Sequence, residues 1–387
     1  MSAVASWAVA LWLLLAVYAY VGYPLVLWVL TLGRRPEPPK PPGEWPLISI
    51  SLPAYNEQDS VGVALDHVLA TDYPADRRQV LVVSDASTDG TDAVVAGYSD
   101  RGVELLRLEE RVGKTGAENA ALPHLRGDII INTDASVWID RTALRHLVAR
   151  FEDPRVGVAS GRDVSVASVA RPANVGESRY VNYEMWVRRL ETAVGGIVGA
   201  SGCFYAIRRE LHQNLVPGAL SRDFATAMIA RENGFSAVSV DEAVCYVPRT
   251  GSMQREYRRK VRTMARGLDT LIYKRALLNP IRYGLFAWKL FSHKLCRWLV
   301  PLLALPALAG LAVLATTTGW VRVLLISAAL TLGIAWVGWR SPPDRPPSRP
   351  VALVTFVVVG HVAAIVAWYK ALRGELNPIW EPTRRIA

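Results

Sequence analysis

Long apolar stretches alternate in this chain with regions of mixed polarity. Residues 7–31 hold no charged side chain, and the stretches 297–316, 320–339 and 351–369 are almost as apolar. Crossing a bilayer takes roughly 20 apolar residues, so each stretch is long enough to cross. The first one is too long for a cleaved signal peptide, and no basic residue precedes it. The pattern predicts a membrane protein with four apolar segments.

The region between the first two segments has the periodicity of an α/β domain. Four short aliphatic runs, at 47–53, 79–85, 103–108 and 128–134, are typical of strands buried on both faces of a parallel sheet. Stretches with apolar residues at helical spacing lie between these runs. Such repeated βα units predict an open α/β sheet with helices on both faces. Ligands of this architecture bind beyond the carboxyl ends of the strands.

Composition divides the chain into six parts. A transmembrane segment (1–32) and a Pro-rich linker (33–46) precede the α/β domain (47–248), which is followed by a basic interfacial segment (249–296), further transmembrane segments (297–372) and a tail (373–387). Arg34 and Arg35 follow the first apolar segment directly and place the domain in the cytoplasm by the positive-inside tendency. We therefore expect an integral protein of a plasma membrane or bacterial inner membrane.

Positive charge is concentrated before the second apolar segment. Between Arg249 and Arg297 there are 13 Lys or Arg against two acids, although the net charge of the whole chain is only +10. Nucleic-acid binding is one explanation, but aromatic residues at helical spacing favour a basic amphipathic helix on an anionic membrane surface. We expect membrane lipid, and no nucleic acid, among the partners. The three cysteines lack CxxC spacing, which argues against a disulfide framework or a zinc site.

Two of the aliphatic runs end in the same tripeptide, "VLVVSDAS" at 80–87 and "IIINTDAS" at 129–136. Asp85 and Asp134 therefore both stand at strand ends and should project into one crevice. A buried carboxylate there needs a helix N-terminus, a base-ring N–H, ribose hydroxyls or a divalent cation as its partner. For Asp85, capping where its strand passes into the next helix is a strong alternative. For Asp134 no helical pattern follows at once, which weakens that alternative.

Common nucleotide motifs are incomplete. Gly113-Lys114-Thr115 resembles the end of a phosphate-binding loop, but Leu108 stands where the loop needs its first glycine. The G-x-G-x-x-G dinucleotide motif is also absent from the sequence. These observations disfavour an NTPase and a nicotinamide enzyme. Lys114 is either a solvated side chain or a point charge near a phosphate.

Six motifs in order resemble the membrane-bound family 2 glycosyltransferases, which include cellulose, chitin and hyaluronan synthases and bacterial exopolysaccharide enzymes. They are "LPAYNE", "VVSDASTDGT", "GKTGAENAAL", "INTDAS", "GASGCFYAIRREL" and "SRDFATAMIARENGF". The resemblance runs from about Pro46 to the C-terminus. It implies a GT-A-type α/β fold, open and mainly parallel, joined to transmembrane helices. It also implies a nucleotide-sugar donor, expected to be a UDP-sugar, and a glycan or lipid-linked acceptor.

The resemblance assigns roles on the donor side. It implies that uracil, ribose and diphosphate are held by six residues: Tyr55, Glu57, Asp85, Lys114, Asp134 and Arg262. Asn119 would lie near Lys114. Asp134 also opens the family's D-x-D motif, in which Ser136 replaces the second acid here. Asp134 and Ser136 would then hold a divalent cation, Mg²⁺ or Mn²⁺, which keeps several waters and needs few protein carboxylates.

The catalytic candidate is Asp223, in the place of the Asp in the family's T-E-D motif. Its neighbours are Ser221 and Arg222, so only the acid matches. Transfer needs one base to take the proton of the attacking hydroxyl, and a single carboxylate suffices for inversion. The alternative is an N-cap for a helix over 224–233.

The acceptor side shows two departures. Ser201, Gly202 and Cys203 lie where relatives line the acceptor sugar, although a tight turn explains them equally well. In the place of Q-x-x-R-W the chain has Arg262 followed by Thr263. Without the Trp ring, one or a few additions to a lipid-linked acceptor become as plausible as a long polymer.

The sequence leaves one conflict and three functional hypotheses. With an outside N-terminus and four crossings the tail would lie outside, but Lys370, Arg373, Arg384 and Arg385 favour the inside. We therefore expect one apolar segment, most simply the last, to be re-entrant or interfacial. The leading function is an inverting membrane glycosyltransferase that extends a polysaccharide or oligosaccharide. The alternatives are single transfer to a polyprenyl phosphate and a non-catalytic nucleotide-sugar-binding regulator of a synthase.

Overall fold

The computed structural model describes residues 2–34, 41–166, 175–248, 253–342 and 347–375, with the backbone alone for 175–178. The middle of the Pro-rich linker and most of the predicted C-terminal tail fall outside these ranges.

One mixed sheet forms the centre of the domain. Within the described residues its eight strands are β1 (Ile48–Ala54), β2 (Arg78–Ser84), β3 (Val103–Arg107), β4 (Ile129–Thr133), β5 (Trp138–Ile139), β6 (Val156–Val166), β7 (Phe204–Arg208) and β8 (Ser236–Pro248), in the order β3-β2-β1-β4-β7-β6-β8-β5. The four predicted strand runs are β1 to β4, which pair in parallel. β7 is antiparallel to both β4 and β6, and it joins them to the parallel pair of β6 and β8. The predicted largely parallel α/β sheet is confirmed.

The sheet is buried on both faces, as its aliphatic runs predicted. Along β2, Val80 and Val82 pack in one core, whereas Leu81 and Val83 pack in the core on the opposite face. Each fully buried aliphatic side chain stabilises the fold by about 1.5–3 kcal/mol. β1 lies between β2 and β4, so the strand ends that lead into the two Asp-Ala-Ser segments flank it on the same edge.

Helices surround the sheet and extend away from it. Those before β7 are α1 (Ser2–Val17), α2 (Tyr23–Thr31), α3 (Val61–Leu69), α4 (Thr91–Ala96), α5 (Gly113–Ala121), α6 (Ala143–Ala149) and α7 (Val175–Ala193). The later ones are α8 (Arg209–His212), α9 (Arg222–Glu232), α10 (Met253–Tyr273), α11 (Pro280–Tyr283), α12 (Leu285–Leu290), α13 (Arg297–Ala315), α14 (Gly319–Arg340) and α15 (Arg349–Leu372).

Four helical stretches of the described chain are long and apolar enough to cross a membrane. They are Ser2–Thr31, Leu285–Ala315, Gly319–Arg340 and Arg349–Leu372. The four apolar segments expected from the sequence therefore all form helices. The second begins at Leu285, because α12 continues through a π-helical turn at Phe291–Cys296 into α13.

A buried ionic group, here called the junction cluster, joins the first two apolar helices to α7. It consists of Glu184, Glu191, His293, Lys294 and Arg297. The His293 ring lies 2.7 Å from Glu191 Oε1 through Nδ1 and 3.1 Å from Glu184 Oε2 through Nε2. Arg297 Nη1 donates to Glu184 Oε2 at 2.9 Å. These contacts hold the sheet domain against the apolar helices.

Two π-helical turns meet beside this cluster, Tyr18–Gly22 in the first apolar helix and Phe291–Cys296 in the second. A π-turn breaks the regular backbone bonding of an α-helix. The Tyr20 carbonyl accepts from Tyr183 Oη at 2.8 Å, and the hydroxyls of Tyr18 and Ser292 lie 2.7 Å apart. The two irregular turns are therefore bonded both to each other and to α7.

Candidate active site

Asp85 is a helix cap, but not of the helix that follows it. Its carboxylate is 2% exposed and accepts from the backbone N–H groups of Val112 at 2.7 Å and Gly113 at 2.9 Å, at the start of α5. The next helix, α4, is instead bonded by Asp89, whose Oδ1 accepts from Thr91 N at 2.9 Å. The capping alternative for Asp85 therefore holds between distant elements, because β2 ends opposite the loop that enters α5.

Lys114 joins the second Asp-Ala-Ser segment to the same helix start. Its Nζ lies 2.5 Å from Asp134 Oδ1 and donates to the Gly202 carbonyl at 2.7 Å. Burial acts to lower the pKa of Lys114, but the carboxylates of Asp134, Glu118 and Asp223 outweigh it and raise the pKa. Residues 112–114 thus bridge both aspartates, and Lys114 is an ion-paired side chain rather than a solvated one.

The predicted nucleoside residues of the first loop lie beside this bridge. The guanidinium of Arg111 sits over the Tyr55 ring, 3.7 Å from its centroid. Glu57 is 7% exposed, accepts from Ser60 Oγ, and its backbone N–H donates to Thr91 Oγ1 at 2.8 Å. Arg111 was not identified from the sequence, because the capping of the adjacent Val112 and Gly113 by Asp85 appears only in the structure.

Asp223 lies inside the first turn of α9, which begins at Arg222 rather than at 224 as predicted. The N-cap position belongs to Ser221, whose Oγ donates to Asp223 Oδ1 at 2.5 Å. The N-cap alternative for Asp223 is therefore wrong. A carboxylate in the first turn is stabilised by the helix dipole. The second oxygen of Asp223, Oδ2, points toward Gly202.

Gly202 is the point where the base candidate and the donor-side residues meet. A Cβ atom at this glycine would lie 2.5 Å from Asp223 Oδ2, closer than carbon and oxygen can approach. On the other side, the Gly202 carbonyl accepts a hydrogen bond from the Lys114 ammonium. Only glycine allows Asp223 to lie this near the Lys114–Asp134 pair.

The neighbours of Gly202 hold the loop in shape. Ser201 N donates to Ser160 Oγ at 2.8 Å, and Ser201 Oγ donates to Asp163 Oδ1 at 2.6 Å while it accepts from Cys203 N at 3.1 Å. The Ser201 hydroxyl is therefore engaged within the loop. The acceptor role of Ser201, Gly202 and Cys203 stays a prediction.

Helix α10 carries two arginines that lie one turn apart. Arg262 is half-buried, and Thr263 beside it is exposed. One turn later, Arg266 donates to Thr115 Oγ1 at 2.9 Å and to the carbonyls of Gly218 and Leu220. Burial lowers the pKa of Arg266. Sequence analysis missed Arg266, although spacing of four residues from Arg262 places both on one helix face.

Buried polar groups lie behind Lys114. Glu118 is 1% exposed, its Oε1 has no hydrogen-bond partner within the described chain, and burial raises its pKa. Arg222 donates to Asn119 Oδ1 and lies 2.7 Å from His212 Nδ1. Asn119 therefore faces Arg222 and not the donor side. We call Lys114, Glu118, Asp134, Asp223 and Arg266 the cleft cluster.

The cleft offers few protein ligands for a metal ion. Within the described residues no group of three or more His, Cys, Asp or Glu side chains is placed to hold one. Asp134 and Ser136 follow β4 two residues apart, and both are largely buried. One carboxylate and one hydroxyl suit Mg²⁺ or Mn²⁺ when substrate oxygens and waters complete the shell. The two residues fit a cation that arrives with a diphosphate.

Comparison with known proteins gives one family. Residues 49–216 match the sequence model of Glycosyl transferase family 2. The matched region ends just before Asp223. An N-acetylglucosaminyltransferase of Rhizobium sp. is 27% identical over 311 residues, covering 73% of this chain and 66% of the relative. A beta-monoglucosyldiacylglycerol synthase of Nostoc sp. is 27% identical over 172 residues, covering 43% of this chain and 37% of the relative. The chain thus spans about two thirds or less of these relatives.

Among solved structures, the mannosyltransferase PcManGT from Pyrobaculum calidifontis, in complex with GDP-Man and Mn²⁺, resembles this chain along nearly its whole length. The TM-score is 0.73 at 24% identity, and the likeness covers 95% of this chain and 99% of the other. At this identity the likeness shows only the fold, which is the GT-A type expected from the sequence.

Proposed function

The chain carries a family 2 glycosyltransferase domain, and from this premise we propose that the protein transfers a sugar from a nucleotide-sugar donor to a glycan or lipid-linked acceptor, with inversion at the anomeric carbon. The observation that supports this most directly is the approach of Asp223 to Gly202, whose carbonyl binds Lys114 and through it Asp134. Gly202 therefore lies between the proposed base, Asp223, and the Lys114–Asp134 ion pair.

Asp223 acts as the general base in this proposal. A base must lie within about 3 Å of the hydroxyl whose proton it takes. The bond from Ser221 fixes one carboxylate oxygen and leaves the other turned toward Gly202. An acceptor hydroxyl above Gly202 would give its proton to that oxygen as its own oxygen attacks the sugar from the face opposite the diphosphate.

Positive charge stabilises the leaving diphosphate. In this proposal Lys114, Arg262 and Arg266 face the diphosphate, and fixed cations lower the energy of the charge that develops on the leaving group. A divalent cation held by Asp134 and Ser136 would supply further neutralisation of that charge. Asp85 contributes by fixing the backbone at Val112 and Gly113, which positions Lys114.

The donor is tested with the purified full chain in detergent. Release of UDP or GDP is measured against a panel of UDP- and GDP-sugars with Mg²⁺ or Mn²⁺, in the presence of lipid extracts and short glycans as acceptors. We expect a UDP-sugar to be used; the mannosyltransferase of the same fold was solved in complex with GDP-Man, so that donor belongs in the panel. Turnover of a GDP-sugar alone would correct the donor but keep the reaction.

The base assignment is tested with Asp223→Asn. General base catalysis contributes typically 10²–10⁴-fold, so turnover should fall by about that factor while donor binding persists. Glu232→Gln is the matched control, because Glu232 is an acid at the exposed end of the same helix, paired with Lys274. Unchanged turnover in Asp223→Asn would refute the base. Donor binding without turnover in the native protein, with every acceptor supplied, would instead favour the regulatory function.

A second candidate is a single transfer to a lipid acceptor. Thr263 is exposed on α10 and offers no ring on which a growing chain could stack. One relative is a glucosyldiacylglycerol synthase, which is named for a lipid product. Product analysis separates the candidates: a lipid monosaccharide supports single transfer, and a ladder of oligosaccharides supports extension.

A further inference from the structure

The last apolar helix, α15, lies along a helix that is unsuited to the bilayer core. Lys260 Nζ of α10 is 4.2 Å from the ring centroid of Phe356, and Ala367 packs with Ala265 and Leu268 one to two turns further along α10. The sequence of α10 carries six Lys or Arg. Charged side chains are costly in the hydrocarbon region, so α10 belongs at the membrane surface or above it. α15 follows it there.

The other apolar helices define the two sides of the membrane. Arg297, at the start of α13, binds Glu184 of the sheet domain, and we call this the near side. In the first apolar helix, Ala19 packs with Val300 close to that side, whereas Ala5 meets Gly310 near the other end of α13. The turn 316–318 between α13 and α14 is therefore on the far side.

Helix α14 returns to the near side. The Trp339 carbonyl, one residue before its end, accepts from Gln254 of α10 at 3.2 Å, and the rings of Trp339 and Tyr257 are 5.7 Å apart. Since α10 packs on the sheet domain through Arg266, the end of α14 and the start of α13 lie on the same side.

Both parts of α15 that touch these helices touch them on the near side. Thr355 lies against Gly338 at the end of α14, and Trp368 Nε1 donates to the Trp298 carbonyl at 2.9 Å, at the start of α13. About 20 Å of helix separates Thr355 from Trp368, at 1.5 Å per residue. A crossing would move the chain by about 30 Å to the far side instead.

The two faces of α15 differ in what covers them. Thr355, Phe356, Val359, Ala363 and Ala367 are buried. Beyond the first turn, from Val351 to Leu372, the exposed side chains share less than half of the helix circumference and are all apolar or aromatic: Val357, Val362, Tyr369 and Leu372. Lys370 and Arg373 stand at the end of this face. An apolar face edged by basic residues fits a lipid surface.

We propose that α15 lies in the membrane interface with this exposed face on lipid, so that the described chain crosses the membrane three times. Three crossings leave the end of α15 on the near side, together with Lys370 and Arg373. This placement removes the conflict between four crossings and the positive-inside tendency. The proposal concerns membrane placement and does not depend on which sugar is transferred.

The side of the tail is measured with single cysteines in a background of Cys203→Ser, Cys245→Ala and Cys296→Ala. Asp100→Cys reports the near side and Thr317→Cys the far side, since both positions are exposed. Glu375→Cys should react with a membrane-impermeant maleimide in the same vesicle orientation as Asp100→Cys. Reaction in the orientation of Thr317→Cys would overturn the proposal.

The depth of α15 itself is measured with spin labels at Val362→Cys and, as matched control, at Leu330→Cys in the middle of α14. Both side chains are apolar and exposed. Accessibility to oxygen and to a water-soluble nickel complex should place Val362 near the headgroups and Leu330 at the bilayer centre. Equal depth at the centre would show that α15 crosses, and the proposal would fail whatever the catalytic activity.

Discussion

The cleft cluster and the junction cluster are both buried groups of charges, but they are bonded differently. In the junction cluster, Glu184 lies within hydrogen-bond or ion-pair distance of His293, Lys294 and Arg297. Glu191 Oε1 accepts from Tyr23 and contacts His293, and only its Oε2 lacks a partner among the described residues. In the cleft cluster, Glu118 Oε1 and Arg266 Nε have none within the same part of the chain.

The electrostatics separate the clusters in the same way. Burial acts to raise the pKa of Glu184, but His293, Lys294 and Arg297 hold that pKa well below its usual range. Burial raises the pKa of Glu118, and its neighbours do not reverse the shift. Buried polar groups are nearly always bonded, so the incomplete bonding of the cleft indicates a place for a ligand. In the junction, the surrounding cations more than compensate for the burial of Glu184, which indicates a structural contact.

The largest effect is expected from breaking the junction. Glu184→Gln leaves Lys294 and Arg297 buried beside a neutral amide. Removing one partner of a buried ion pair costs about 3–5 kcal/mol of the free energy of unfolding. Thermal unfolding in detergent should show a large drop, with turnover per folded molecule retained. Glu210→Gln, on an exposed side chain, is the control. A stable variant that has lost turnover would place Glu184 in the active site instead.

Gly202→Ala tests the cleft at its narrowest point. The added methyl must displace Asp223, and a shift of about 1 Å in a reacting group costs on the order of 10²-fold in rate. We expect turnover to fall by about that factor while the unfolding temperature changes little. Gly218→Ala, where a Cβ meets the nearest atom at 3.8 Å, should be nearly silent. Full activity in Gly202→Ala would separate Asp223 from the reaction.

The Asp85→Asn variant tests whether Asp85 contributes to donor binding or only to stability. An amide can accept only one of the two N–H bonds from Val112 and Gly113, and a bond to a charged acceptor contributes about 1.5–3 kcal/mol. We expect lower stability and also weaker donor binding, because Lys114 follows directly. Asp89→Asn, at the more exposed cap of α4, should affect stability alone. If donor binding by folded Asp85→Asn were unchanged, Asp85 would be purely structural.

The smallest effect concerns pH. Burial, and then Arg222, hold the pKa of His212 at about 3, whereas an unfolded histidine titrates near 6.5. Between these values the unfolded state binds the extra proton, so stability falls as pH falls. From pH 7.5 to 6 the loss should be about 0.8 kcal/mol. His212→Gln, which retains an acceptor for Arg222, should remove this slope. An equal slope in the variant would contradict the assignment.

How far the sequence could be used depends on the range of each interaction. The strands that lead to the two Asp-Ala-Ser ends were predictable, since alternation and length are local properties of 79–85 and 128–134. The partner of Asp85 was not, because Val112 and Gly113 lie far along the chain and meet it only through the pairing of β2 with β3. Arg266 and Glu118 were missed because their surroundings depend on packing between distant elements, although Glu118 lies within the motif "GKTGAENAAL".

The sequence by itself determined the alternating βα pattern, four apolar helices and an acid at each of the two strand ends, because helix and strand periodicity and the cost of burying charge act residue by residue. The tertiary structure decided which groups meet: Asp223 with Gly202, Lys114 with Asp134, and Trp368 with Trp298. It also decided that α15, apolar enough to cross, lies beside the charged helix α10. Such choices depend on packing between distant elements, which a linear pattern does not contain.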